Sequence, residues 1–207
     1  DFWFFAGKPA EELALSEPKA GGGEFRLMIP QNEAWSSVIQ TAFGEKAKKT
    51  VRYATKKEPG IFDRERLEKM VNSLAEEYSL QLIDEACFDW CREHGWSRDL
   101  VSNYEDYGRY RDLGLGVAVL KNGIPVAGAS SYSTYQGGIE IEIDTQPEYR
   151  RQGLATACGA KLILECLGRG LYPSWDAQNR GSLALAEKLG YHFDHEYVAF
   201  EVMRGKE

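Results

Sequence analysis

Residues 139–155, reading Ile-Glu-Ile-Glu-Ile-Asp-Thr-Gln-Pro-Glu-Tyr-Arg-Arg-Gln-Gly-Leu-Ala, constrain the fold more tightly than any other stretch. Ile139, Ile141 and Ile143 alternate with Glu140, Glu142 and Asp144, the period-two pattern of a strand. Pro147 has no N–H to give to a ladder, so the strand should end by that point. From Gly153 the period changes to that of a helix. Leu154, Cys158, Leu162 and Cys166 form one row at i+4 spacing, with Ala155, Gly159, Ile163 and Leu167 beside it, which predicts a broad buried face. A strand, a glycine turn and a helix start bring unpaired backbone N–H groups and the positive end of a helix dipole to one place. That is an anion site.

The nature of the anion is narrowed by what is missing. No Gly-Lys-Ser/Thr follows the glycine, so the stretch is not a P-loop. A dinucleotide fold would find an acidic residue in Asp176, but Gly153, Ala155 and Cys158 fill its three glycine positions poorly. The strand also carries a carboxylate at every second residue, whereas a central parallel strand usually reads as continuous apolar sequence. Three like charges cannot lie against a dry core. Their face should line a wet cleft, the competing reading being an ordinary half-exposed antiparallel strand.

The segment Arg150-Arg151-Gln152-Gly153-Leu154-Ala155 resembles the Arg/Gln-x-x-Gly-x-Gly/Ala signature of the GNAT superfamily of acyl-CoA N-acyltransferases, and it follows an apolar strand as it does there. One strand later, Leu171-Tyr-Pro-Ser-Trp-Asp-Ala-Gln-Asn179 and then Glu187-Lys-Leu-Gly-Tyr191 resemble the family's Asn and its Leu-Gly-aromatic helix end. The resemblance covers roughly 78–203. With the N-terminal extension, the segments Trp175-Asp-Ala-Gln-Asn179 and Gly153-Leu-Ala-Thr are similar to the subgroup that includes zwittermicin-resistance-type acetyltransferases. The resemblance implies a GNAT fold of the mixed α/β class: a twisted mixed sheet with a central βαβ unit. Residues 1–76 are then expected to be a mostly helical extension with short strands, and 77–207 the acyltransferase domain.

It also implies a donor and a site. Acetyl-CoA would set its pyrophosphate on the amides of Gln152, Gly153, Leu154 and Ala155, with Arg150 and Arg151 adding charge-assisted contacts unless one is simply a solvated cation. The pantetheine arm would lie along Ile143 to Thr145, and the Thr145 amide would polarise the thioester carbonyl. Asn179 and Ser182 are assigned to the same cofactor site, Asn179 being equally suited to cap the helix that follows. Glu140 and Glu142 are the candidate bases for the acceptor amine, since crowded carboxylates raise one another's pKa, and Asp144 would act electrostatically. The function implied is direct acetyl transfer to a primary amine of a small molecule or peptide, the alternative being an acyl-CoA-binding module without turnover. One departure from the family stands out: its general-acid Tyr, four residues before the Gly of the helix end, is here Ala186, with Tyr132, Tyr135 and Tyr172 as unranked substitutes. Tyr191 reads as a packed aromatic.

The remaining sequence bounds the partners. With 25 Lys+Arg against 32 Asp+Glu, the net charge of −7 argues against nucleic acid as the main partner. No run of apolar residues is long enough for a membrane span, and the opening Asp-Phe-Trp-Phe-Phe lacks a signal peptide's basic start. The chain opens on a strand pattern at Asp1, so further residues are expected before it. Cys87, Cys91, Cys158 and Cys166 form no CxxC pair. Cys87, Cys91 and His94 share a helical face but lack an evident fourth ligand, so no metal and a reduced cytoplasmic protein are expected, with a homodimer possible. Before the resemblance begins, Gly21-Gly22-Gly23 reads as a break, 35–43 as an amphipathic helix, 46–57 as a basic run that is either a solvated face or a contact for a phosphate or an acidic partner, and Asp63 as a helix cap. Later, 78–83 reads as a strand, 85–93 and 103–111 as helices, 115–120 and 124–135 as a hairpin about Asn122-Gly123, 171–176 as a strand and 191–203 as a final strand pair.

Overall fold

The computed structural model describes residues 2–16 and 25–203, so the Gly21-Gly22-Gly23 break lies outside the described residues. Compactness separates residues 1–54 with 195–207 from residues 55–194. These are limits of packing, whereas the 76/77 division is one of sequence resemblance.

In the first unit, β1 (Phe2–Phe5), α1 (Glu11–Leu15), β2 (Phe25–Pro30), α2 (Glu33–Phe43) and β3 (Ala47–Thr55) follow in order. β1 pairs parallel to β2, with Phe2 opposite Leu27. Asn32 caps α2 by accepting from the Trp35 amide at 3.0 Å. Trp35 and Ile39 from its apolar face are buried with Phe5, Met28 and Phe200. Most of the basic run is a strand. Thr50, Val51 and Tyr53 favour a strand, and β3 buries Ala47 and Tyr53 while Lys48 and Lys49 stay exposed.

The second unit begins with α3 (Arg64–Asn72), capped as expected by Asp63. Next come β4 (Tyr78–Leu82), α4 (Glu85–Glu93), α5 (Tyr107–Leu113), β5 (Gly116–Lys121), β6 (Ile124–Tyr135), β7 (Gly138–Thr145), α6 (Leu154–Gly168), β8 (Tyr172–Ser174), β9 (Asp176–Ala177) and α7 (Arg180–Leu189). A five-stranded sheet runs β4-β5-β6-β7-β8. Its first four strands are antiparallel neighbours, and β7 and β8 are parallel around α6. Asn122 and Gly123, with φ of 52° and 79°, are the two left-handed residues that a tight hairpin needs. One sheet face packs on α4 and α5 through Ile83, Phe88, Leu100, Tyr110, Ala118 and Leu120. On the other face α6 buries Leu154, Cys158, Leu162, Ile163 and Cys166, the rows read from sequence.

One helix and two strand readings depart from expectation. The helix placed at 103–111 starts only at Tyr107, because the Asp106 carboxylate takes the Arg109 amide at 2.7 Å and so fixes the start there. The strand placed at 171–176 breaks at Trp175 into β8 and β9. In place of a final strand pair the chain ends in one strand, β10 (Phe193–Met203), whose Phe200 to Met203 pair antiparallel with β2. In the first unit the sheet order is β1-β2-β10-β3.

Candidate functional site

β7 is hydrogen-bonded to β6 along its whole length but to β8 only from Gly138 to Glu140, opposite Tyr172 to Ser174. Past that point the β8 side of β7 is an open ladder edge. The Gln146 amide donates to the Val126 carbonyl at 2.9 Å, toward β6. By strand alternation the Thr145 amide points the other way, to the open edge. It donates at 2.7 Å to its neighbour's carboxylate, Asp144 Oδ1. The Thr145 hydroxyl is buried and has no hydrogen-bond partner.

The faces of β7 divide as the alternation demands. Ile139 and Ile141 are buried, and Ile143 reaches Gly159 on α6, where a Cβ would lie 3.6 Å from Ile143 Cδ1. Glu140, Glu142 and Asp144 are half-buried on the opposite face. Glu142 lies opposite Ser130, Asp144 opposite Gly128 and Glu140 opposite Ser174. Ser130 Oγ is 2.8 Å from Tyr110 Oη and Ser131 Oγ is 2.6 Å from Tyr104 Oη, so the wall beside the carboxylates is polar. Burial pushes both phenols above the ordinary tyrosine value, and they stay neutral.

Between β7 and α6 the backbone turns through Arg151 at φ 63° and Gly153 at φ 84°. The glycine is required by that angle and not by crowding, since a Cβ there would meet nothing within 4 Å. Gly153 offers no capping side chain, and the first helical bond is from the Ala157 amide to the Gly153 carbonyl at 3.1 Å. The amides of Leu154, Ala155 and Thr156 therefore have no acceptor within the helix. A helix of 15 residues places its dipole behind them.

The other expected residues have structural partners. Gln152 accepts from Tyr78 Oη at 2.6 Å and donates to the Glu148 carbonyl at 3.3 Å, which holds the turn in shape. Arg150 folds back on β7, its Nε 3.0 Å from the Thr145 carbonyl and its Nη2 3.3 Å from Asp144 Oδ1. Arg151 is exposed. Asn179 caps α7 by accepting from the Ser182 amide at 2.9 Å, and Ser182 Oγ accepts from Trp175 Nε1 at 3.1 Å, which anchors the break between β8 and β9. Ala186 is fully buried. Tyr191 is packed, as read from sequence. It donates to the Pro173 carbonyl at 2.7 Å and lies edge-on to Phe62, and its burial pushes its pKa well up.

Two residues of this region were not singled out from the sequence. Ser174 shares a 2.7 Å hydrogen bond with Tyr135 Oη, and Lys57 donates to the same phenol at 3.1 Å. The sequence places Lys57 in the basic run, as a solvated cation or a contact for a phosphate or an acidic partner, and nothing local ties it to β8. The Cys87, Cys91 and His94 face is a packing feature. Both thiols are buried, and the His94 ring stacks on Trp90 at 3.7 Å with Nδ1 2.7 Å from the Trp90 carbonyl.

The family model for GNAT acetyltransferases matches residues 1–200. The chain is 28% identical over 211 residues to YdfB, an uncharacterised N-acetyltransferase of Bacillus subtilis strain 168, covering 95% of this chain and 71% of that protein. The crystal structure of a GCN5-related N-acetyltransferase-like protein from Streptococcus suis is 48% identical, with a TM-score of 0.89 over 97% of this chain and 79% of that one. A GCN5-related N-acetyltransferase from Kribbella flavida shares the fold alone, at 15% identity and a TM-score of 0.56 over 88% of this chain and 68% of its own. A split between two parallel strands that runs into an uncapped helix start is thus set in a fold common to these proteins, and the chain is an acetyltransferase enzyme of the GNAT family.

Proposed function

We propose that the protein transfers an acetyl group from acetyl-CoA directly to a primary amine of a small molecule or peptide. The observation that carries this reading is the unpaired ladder edge of β7 past Glu140, followed in the chain by the uncapped N-terminus of α6. The residues there fit the donor. The amides of Leu154 and Ala155, with those of Gln152 and Gly153, would receive the pyrophosphate, and exposed Arg151 would add charge. The backbone from Ile143 to Thr145 would pair with the pantetheine amides as an added strand would, and the buried Thr145 hydroxyl has no hydrogen-bond partner of its own. Asn179 and Ser182 would line the far wall from the start of α7.

In the transfer itself the neutral amine nitrogen attacks the thioester carbonyl, the C–S bond breaks and CoA leaves as the thiolate. The amine's proton goes to Glu140 or Glu142, directly or through water. Residues 77–207 carry this chemistry, and 1–76 form an extension. The four buried, unpaired cysteines suit a reduced cytoplasmic setting. No described helix is long and apolar enough to cross a membrane.

A second reading, an acyl-CoA-binding module without turnover, is favoured by one observation: Ala186 puts a buried methyl group where the family has its acidic Tyr. Thermal denaturation with acetyl-CoA, CoA and NAD separates the readings from a dinucleotide site. A ligand held only by the folded state adds about 2.7 kcal/mol at a concentration 100-fold above its Kd. A rise with acetyl-CoA and not NAD, followed by CoA release on adding an amine, supports the enzyme. A rise without release with any amine supports the binding module, and no rise ends both.

A further inference from the structure

We infer that the acceptor is an amine that carries its own carboxylate, and that Lys57, with Tyr135 and Ser174, receives that carboxylate. The inference rests on the acetyltransferase reading of the same cleft and names the substrate class.

The β7–β8 ladder ends at the pair Glu140–Ser174, and aligned residues of parallel strands project to the same face. Ser174 Oγ is 2.7 Å from Tyr135 Oη, and Lys57 Nζ is 3.1 Å from the same oxygen. Two hydrogen bonds thus connect the residue opposite Glu140 to a cation. The phenol reaches this point because β7 has no side chain at Gly138. A Cβ there would run into the Tyr135 hydroxyl and would lie 2.6 Å from the Tyr172 carbonyl.

The position of Lys57 is fixed although the residue is exposed. Its ammonium lies 4.5 Å from the Tyr135 ring centre and 5.3 Å from that of Tyr172. The backbone on either side of it is tied to β8: Tyr172 Oη donates to the Lys56 carbonyl at 3.1 Å and accepts from the Glu58 amide at 3.0 Å. The adjacent carboxylate, Glu58, is engaged by His192 Nδ1 at 2.9 Å. Aromatic faces attract an ammonium but do not satisfy its N–H groups, and only one of the three is given to Tyr135. The remainder, with the one hydroxyl proton that the Ser174–Tyr135 bond leaves free, form a donor set for a carboxylate. On the same sheet face, Glu140 and Glu142 form an acidic row suited to a substrate ammonium. A cation at Lys57 and carboxylates at Glu140 and Glu142, on one face of the sheet, select a molecule that carries both charges.

The test measures kcat/KM with acetyl-CoA for paired acceptors on the full chain: free L-amino acids, β-alanine and γ-aminobutyrate, each against its carboxamide. We expect the acids to be preferred by about ten- to a hundred-fold, the range for a lost hydrogen bond to a charged group. Lys57→Met should bring the acid-to-amide ratio close to one, and Lys57→Arg should keep the preference. Equal rates for acids and amides in the natural protein, or a preference that survives Lys57→Met, would overturn the inference. So would a panel in which no amine releases CoA while acetyl-CoA still raises Tm, an outcome that leaves the donor reading intact. Loss of the acetyl-CoA shift itself would bring down the proposed function beneath it.

Discussion

Asp144 and Thr145 are joined by a hydrogen bond between the backbone amide of one and the carboxylate of the other, at 2.7 Å, and Arg150 closes on the same Asp144 oxygen at 3.3 Å. The amide expected to polarise the thioester carbonyl is therefore already engaged. In the proposed reaction the carboxylate must turn away as the donor enters. Asp144→Ala removes the competitor, so acetyl-CoA should bind more tightly, by several-fold in isothermal titration. Stability should change by less than about 1 kcal/mol, because the ion pair is exposed. An unchanged or higher Kd would show that the donor does not use this amide.

Gly153 holds φ at 84° in open space. Gly153→Ala should cost about 1–2 kcal/mol in urea unfolding through backbone strain alone. Its Kd for acetyl-CoA should rise as the Leu154 and Ala155 amides lose their aim. Unfolding with no change in midpoint would mean that the turn relaxes freely and does not preorganise an anion site.

Asn179 is settled as a cap whether or not it also touches the donor. Asn179→Ala should therefore destabilise by about 1 kcal/mol, and Asn179→Ser should restore most of that. If Asn179→Ser recovers stability but not acetyl-CoA affinity, the residue has a second role at the cofactor. If both recover together, capping is its whole contribution.

For the acceptor base, Glu140→Gln and Glu142→Gln keep the shape of the side chain and remove its proton affinity. One of them should lower kcat by about 10²–10⁴-fold and abolish the acidic limb of the pH–rate profile. Profiles identical to that of the natural protein in both variants would remove carboxylate base catalysis from the mechanism.

Alkaline pH should unfold the protein through its buried thiols and the buried Tyr191 phenol. Burial pushes the Cys158 and Cys166 thiols up from about 9 to about 12, and Tyr191 well above 10. A raised folded-state pKa gives stability that is complete below the unfolded value and lost above it, because the unfolded chain releases protons first. Tm should be flat to about pH 8.5 and fall between pH 9 and 12. Cys158→Ala should flatten the thiol part of that decline in a pH series of thermal melts. A decline with the same slope in this variant would assign it to other groups.

The sequence by itself determined the strand–turn–helix from β7 to α6, the hairpin at Asn122-Gly123 and the caps at Asp63 and Asn179. Each is set by neighbouring residues: alternation, a φ that favours Gly or Asn, a short side chain in reach of a backbone amide. It also showed that the carboxylates of β7 face away from its isoleucines. Tertiary structure alone decided where the β7–β8 ladder stops. That depends on Trp175, whose indole is held by Ser182 and whose carbonyl accepts from Thr55 at 2.7 Å, a partner 120 residues earlier in the chain. Lys57 came to β8 in the same way, through bonds to Tyr135 and from Tyr172 that have no local signature. Local rules describe contacts within a turn or a strand. A cleft is made by contacts between segments distant in sequence, whose positions are fixed only when the core packs.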